Sequence, residues 1–81
     1  MSYFVYVLLS EDDGSYYIGS SRDVSLRLQQ HNQGRCRYTK GHRPWKLVHH
    51  ELFKSHTEAL IRERFLKTGA GRNTLKNLLS D

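Results

Sequence analysis

An α/β (α+β) domain is what this sequence predicts, with a small three-stranded antiparallel sheet flanked by helices in the order β-β-α-β-α-α. Two runs rich in aromatic and β-branched residues, Tyr3 to Leu9 and Tyr16 to Gly19, flank a turn-forming Glu11-Asp12-Asp13-Gly14-Ser15 segment. A third such run, Trp45 to Phe53, begins directly after Pro44. Between and beyond these runs lie segments that open on capping residues and carry apolar residues at helical spacing. Three strands are enough for a sheet, and 81 residues make a single domain over positions 1–81. A chain this short buries only about 60% of the surface its unfolded form exposes, so the core must be thin.

The first two runs read as a β-hairpin. With Asp13-Gly14 as a two-residue turn, Asp12 pairs with Ser15, which sets Ser10 against Tyr17, Leu9 against Ile18 and Leu8 against Gly19. Side chains alternate along a strand and directly paired residues point together. Val5, Val7, Leu9 and Ile18 then share one face, while Tyr6, Leu8, Tyr17 and Gly19 share the other. Both tyrosines meet on one surface. That inference depends on the turn, because a loop one residue longer would send them to opposite faces.

Asp23 is the expected N-cap of a helix that carries Val24, Leu26 and Leu28, runs to about Asn32 and stops before Gly34. Arg27 and His31 are four residues apart on it and project from one face, one turn above the other. A basic loop follows and closes at Pro44, after which Leu47, Val48, Leu52 and Phe53 are the apolar residues of the third strand. Ser55 or Thr57 caps a helix from about Glu58 to Lys67, and Gly69 and Gly71 then break the chain. On this helix Glu63 lies within about 60° of Ala59 and Leu66, an inward stripe on which a carboxylate wants a partner. Arg27 or a metal would serve, and so would an ion pair with Arg62 or Lys67. Leu75, Leu78 and Leu79 give a short last helix an i, i+3, i+4 stripe, with Asn73 suited to its N-cap.

The composition, 37% hydrophobic and 26% charged, is that of a folded globular unit and not of a disordered chain. No apolar run approaches the roughly 18 residues of a membrane span, and the Tyr3 to Leu9 run lacks the basic flank of a signal peptide, so a cytoplasmic protein with no membrane partner is expected. Cys36, the single cysteine, has no partner for a disulfide or a zinc site and reads as a bystander thiol. His49 and His50 are adjacent on a strand and point to opposite faces, which argues against structural zinc.

Charge is more telling. The net charge is +5, and between Gln33 and Lys46 stand five cations, Arg35, Arg37, Lys40, Arg43 and Lys46, with no acid among them. The remaining residues balance, so the whole excess sits in one segment beside Tyr38 and Trp45. A local positive field next to stackable rings suits a nucleic acid, since phosphate contacts supply most non-specific affinity. A solvated loop kept basic for solubility is the rival reading.

Within this frame, Val5-Tyr6 on the first strand and Tyr17-Ile18-Gly19 on the second resemble the two signature tripeptides of the GIY-YIG nucleases. Three further segments follow in that family's order. Asp23 to Asn32 resembles its first helix, Lys46-Leu47-Val48 its third strand, and Glu58-Ala59-Leu60-Ile61-Arg62-Glu63 the helix bearing its metal-binding glutamate. The likeness is greatest to small standalone single-domain members. Phe4 stands where the first motif usually has glycine, a change that a strand accepts well.

The resemblance implies a divalent-metal-dependent endonuclease with Tyr6, Tyr17, Arg27, His31 and Glu63 as catalytic residues. It makes Glu63 the ligand of Mg²⁺ or Mn²⁺, hard ions that favour a carboxylate and retained waters. Arg27, always protonated, would hold the scissile phosphate through its planar fork. Either tyrosine could activate water if nearby positive charge lowered its pKa from about 10, and His31 could share proton transfer or phosphate binding. Gly19 would leave room for phosphate beside Tyr17, and the substrate grip would come from Arg35, Arg37, Tyr38, Lys40, Arg43 and Lys46. The expected partner is nucleic acid, DNA before RNA, with a protein partner or homodimer left open. Two other functions stay in view: a nucleic-acid-binding protein that is non-catalytic or activated by a partner, and a protein-interaction module on the same fold.

Overall fold

The computed structural model describes residues 2–80 and consists of a three-stranded antiparallel sheet with helices on both faces. The elements run β1 (Tyr3–Ser10), β2 (Tyr16–Ser21), α1 (Val24–Asn32), α2 (Arg37–Lys40), β3 (Trp45–Phe53), α3 (His56–Leu66) and α4 (Gly69–Leu79). The strand order β2-β1-β3 makes β1 central. A central strand covered on both faces buries consecutive side chains, which is why Val5, Tyr6, Val7 and Leu8 are all buried. Two apolar clusters result. Val5, Val7 and Ile18 pack against Ala59, Leu66 and Leu75 of α3 and α4, while Tyr6, Leu8 and Trp45 pack with Val24 and Leu28 of α1 on the other face. Each large side chain so buried contributes about 1.5–3 kcal/mol.

The hairpin differs from the expected register. Leu8 pairs with Tyr17 and Val7 with Ile18, a slip of two residues produced by a four-residue loop from Glu11 to Gly14. A two-residue type I′ turn needs positive φ at both central positions, but only Gly14 takes one, at 77°. Asp13 instead accepts from the Ser15 backbone N–H at 3.0 Å and from its hydroxyl at 2.6 Å. Ser10 Oγ in turn receives the N–H groups of Asp12 and Asp13. Because the slip is even, the faces are unchanged, and Tyr6 and Tyr17 share the α1 side of the sheet.

Asp23 caps α1 by accepting from the Leu26 N–H, and Val24, Leu28 and His31 form the stripe that faces the sheet, while Leu26 is exposed. The stretch expected as a basic loop contains one further helical turn, α2, with Thr39 buried. At the next junction the Asn32 side chain makes a two-point bridge to Trp45, accepting from its N–H at 2.6 Å and donating to its carbonyl at 3.0 Å. This ties the end of α1 to the start of β3. A bulge in β3 opposite Val7 and Leu8 returns His49 and Glu51 to the α3 side, where Glu51 accepts from Arg62 at 2.8 and 3.1 Å.

Ser55 caps α3, which therefore starts at His56, two residues before the expected Glu58. The end of the chain departs further. Gly69 and Gly71 do not break it but open α4, and the cap is Thr68, not Asn73, which lies inside the helix. Thr68 Oγ1 accepts from the Gly71 N–H at 3.0 Å and donates to the Phe65 carbonyl at 2.6 Å. A Cβ at Gly71 would stand 1.8 Å from that carbonyl oxygen. Glycine serves here for close helix approach and not as a terminator.

Candidate active site

Four of the five expected side chains converge on the α1 face. Tyr6 rises from β1 opposite Gly19 of β2, and Tyr17 rises from β2, its ring centroid 6.3 Å from that of Tyr6. From above, α1 lowers His31 between them: its ring centroid is 4.8 Å from that of Tyr17, and its Nε2 is 3.1 Å from the Tyr6 hydroxyl. The helical repeat that sets Arg27 one turn back along α1 brings its guanidinium alongside Tyr6. Gly19 is buried, and the space beside it is filled by Tyr6, whose hydroxyl would be 2.6 Å from a Cβ there. The room expected for a phosphate is occupied by a phenol.

His31 is fully buried, and its hydrogen bonds select its tautomer. Thr39 Oγ1 lies 2.8 Å from Nδ1 and gives its own hydrogen to the Cys36 carbonyl at 3.3 Å, so Nδ1–H donates to Thr39. Nε2 is then bare and accepts from Tyr6. Burial first, and the neighbouring Arg27 charge second, push the His31 pKa down to about 4, so the ring is neutral near pH 7. Tyr6 is pushed up to about 12, because burial outweighs the opposing pull of Arg27. The lowered pKa that would let a tyrosine activate water is not found at Tyr6, where a standing phenolate is disfavoured. Arg27 itself is raised further, with the Tyr6 hydroxyl as the main cause, and donates to Gln30 Oε1 at 2.8 Å and to Cys36 Sγ at 3.4 Å. Cys36 is thus a neighbour of the guanidinium.

Glu63 comes from α3, the layer beneath the sheet, and its carboxylate pairs with Lys67 at 2.8 Å. It shares no hydrogen bond with the other four residues among those described. Arg62, the other expected partner, is taken by Glu51. At 17% side-chain exposure the carboxylate is half inward, as its stripe implied. Among the described residues no group of three or more His, Cys, Asp or Glu side chains has metal-holding geometry. A single hard carboxylate with one oxygen engaged by Lys67 fits an ion that keeps several waters and completes its shell with substrate oxygens, as Mg²⁺ or Mn²⁺ does. It does not fit tetrahedral zinc, and His49, bonded to Glu51 at 2.9 Å, points away from His50.

Of the basic segment, Tyr38 reaches the site, its ring 5.9 Å from Tyr17 and 67% exposed. Arg35, Arg37, Lys40 and Lys46 are exposed, Lys46 pairing with Leu9 and so lying on the α3 side of the sheet, away from Tyr6 and Tyr17, while Arg43 donates to the Lys40 carbonyl at 2.9 Å and braces the loop. Thr39 and Gln30 were not anticipated as site neighbours, and Trp45, expected as a stackable ring beside the basic segment, is instead buried with Tyr6 and Leu8. Trp45 Nε1 donates to the Thr39 carbonyl at 2.9 Å and so holds the residue that orients His31. Nothing in their spacing marks them. Beside Tyr17 a cleft of about 720 Å³ follows β2 toward α4, lined in part by Lys67, Arg72 and Lys76.

A family model described as the GIY-YIG catalytic domain matches residues 2–76. UPF0213 proteins of Staphylococcus aureus strains COL and Mu50 are each 41% identical to the chain over 76 residues, covering 93% of it and 92% of their own length. The solution NMR structure of a UPF0213 protein from Bacillus halodurans is 34% identical with a TM-score of 0.59, over 96% of this chain and 85% of that one.

Proposed function

The chain belongs to the GIY-YIG family of catalytic domains, and from that membership we propose that it is a divalent-metal-dependent endonuclease hydrolysing phosphodiester bonds in DNA. The observation that carries the reading is the buried hydrogen-bond chain Thr39–His31–Tyr6, set beside the permanent charge of Arg27. A hydrophobic packing role would not require a fully buried imidazole oriented from both ring nitrogens.

Arg27 binds the scissile phosphate and stabilises the charge that grows on its non-bridging oxygens in the transition state. The attacking water forms the new O–P bond as the P–O bond to the leaving oxygen breaks. Its proton passes to Tyr6 Oη while Tyr6 passes its own proton to His31 Nε2. This relay needs no phenolate at rest, which suits a tyrosine whose pKa is about 12, and the imidazolium it leaves on His31, a ring whose pKa is about 4, is transient and gives its proton up to solvent as product departs. Thr39 fixes the imidazole so that Nε2 is the free acceptor. Tyr17, at the edge of the cleft, packs against His31 and contacts substrate. Glu63 would hold the Mg²⁺ or Mn²⁺ ion, which when bound supplies the Lewis acidity that makes water a better nucleophile and neutralises leaving-group charge.

The Glu63–Lys67 pair favours one other reading, an enzyme idle until a partner or substrate draws Lys67 away. Incubation of the purified protein with labelled linear, branched and single-stranded DNA, with and without Mg²⁺ or Mn²⁺, tests both. Metal-dependent cuts that fall at least about a hundredfold in Tyr6→Phe are expected, the range for loss of general base catalysis. Salt-sensitive binding without cuts under any condition would favour the idle reading.

A further inference from the structure

The cleft along β2 has a lining different in kind from the buried chain beside it. Its aromatic residues are Tyr16, Tyr17 and Tyr38, and its cations are Lys67 at the end of α3 with Arg72 and Lys76, one turn apart on α4. Leu75 and Leu79 add apolar surface, and no Asp or Glu lines it among the described residues. None of these three cations belongs to the basic segment from Gln33 to Lys46. Tyr16 and Tyr38 are 49% and 67% exposed, large rings whose faces nothing in the chain covers fully.

Resting on the nuclease reading, we infer that this cleft seats an unpaired DNA strand running to the scissile phosphate, with bases stacked on Tyr16 and Tyr38 and phosphates on Lys67, Arg72 and Lys76. A duplex could offer phosphates to the cations, but its base faces are stacked internally and cannot meet the tyrosines. At about 720 Å³ the cleft is of the size that holds a small ligand and not a double helix. It is also continuous with both halves of the candidate site. Tyr17 lines it and packs on His31, while Lys67 lines it and holds Glu63 at 2.8 Å. The strand therefore crosses the edge of β2 between Arg27 on one face and Glu63 on the other, and a phosphate competes for Lys67 against an i, i+4 ion pair of small worth.

Fluorescence anisotropy in EDTA, with no cutting, compares one labelled oligonucleotide as single-stranded DNA, as blunt duplex and as the RNA equivalent. The wild type is expected to bind the DNA strand about tenfold or more tighter than the duplex. Tyr16→Ala with Tyr38→Ala removes about tenfold of strand affinity, and the double Phe variant restores it. Arg72→Gln with Lys76→Gln flattens the salt slope for the strand by about 1.4. This second pair sits at exposed helix positions and carries the test if the alanine pair loses its fold by circular dichroism. Equal affinity for strand and duplex, variants that bind like wild type, or tighter binding of RNA would each overturn the inference. So would sedimentation showing that the tyrosine variants dissolve a dimer while DNA binding is unchanged. Strand preference without metal-dependent cutting would sink the nuclease reading and leave the cleft assignment standing. Cutting without strand preference would do the reverse.

Discussion

Protonation of His31 is where a single residue links stability to pH. The unfolded imidazole takes up a proton near pH 6.5, whereas the buried ring, oriented by Thr39 and accepting from Tyr6, does so only near pH 4. Between these values the unfolded state binds more protons, so stability is fully present above about pH 6.5 and is lost as pH falls toward 4. The separation corresponds to a loss on the order of 3 kcal/mol. Urea denaturation across this window should show wild-type stability declining while His31→Gln stays nearly flat down to about pH 4.5, since Asp13 and Glu51, both lowered, lose their contributions only below that. Parallel curves for the two proteins would refute the buried neutral histidine. Gly19 supplies a second residue-level prediction. Alanine there must displace the Tyr6 hydroxyl, 2.6 Å from the added carbon, costing about 1–3 kcal/mol and breaking the bond to His31. A lowered Tm and slower cutting are expected together, and a Gly19→Ala protein with wild-type values of both would show that the phenol is not held there.

At the scale of elements, the junction of α3 and α4 turns two similar glycines into opposite cases. Gly71→Ala should destabilise by roughly 2–4 kcal/mol despite alanine's higher helix propensity, because the new carbon meets the Phe65 carbonyl at 1.8 Å. Gly69→Ala meets nothing within 4 Å and should be neutral or stabilising by up to about 1 kcal/mol. Thermal melts of the two variants moving in the same direction would contradict the packing described. These glycines also mark where sequence reasoning stops. The caps Asp23 and Ser55 and the strand from Trp45 to Phe53 were legible because capping, β propensity and the proline boundary are local effects. The shared face of Tyr6 and Tyr17 was legible too, surviving a wrong turn length only because the register moved by an even step. The glycines read as helix breakers, since close approach of α4 to α3 is a tertiary demand. For the same reason Thr39, eight residues beyond His31 and brought back by one turn of α2, gave no signal in spacing. Arg27 and His31 could be joined to the tyrosines through one helix face, but Glu63 comes from the opposite layer, and only the fold shows that a neighbour of each, Tyr17 beside His31 and Lys67 beside Glu63, lines one cleft along β2.

For the molecule as a whole, the sheet separates two jobs. One face carries the buried Thr39–His31–Tyr6 hydrogen-bond chain and Arg27, the other carries Glu63, and Lys67, Arg72 and Lys76 line the cleft along β2. The excess charge of +5, concentrated from Gln33 to Lys46, should make DNA affinity fall steeply with salt. Arg35→Glu with Arg37→Glu should weaken strand and duplex binding alike, since phosphate contacts carry no sequence or strand information. A salt-independent affinity would contradict this electrostatic grip. The central claim is that Glu63 completes a catalytic site with Arg27 across the edge of β2, and it is tested most directly by the Mg²⁺-dependent cleavage rate of Glu63→Gln, with DNA affinity in EDTA as the control. The predicted result is a rate at least about a hundredfold below wild type with affinity no lower, since the ion's contribution to the transition state is lost while the phosphate grip remains and Lys67 is released from its ion pair. A Glu63→Gln protein that cuts at the wild-type rate would contradict it.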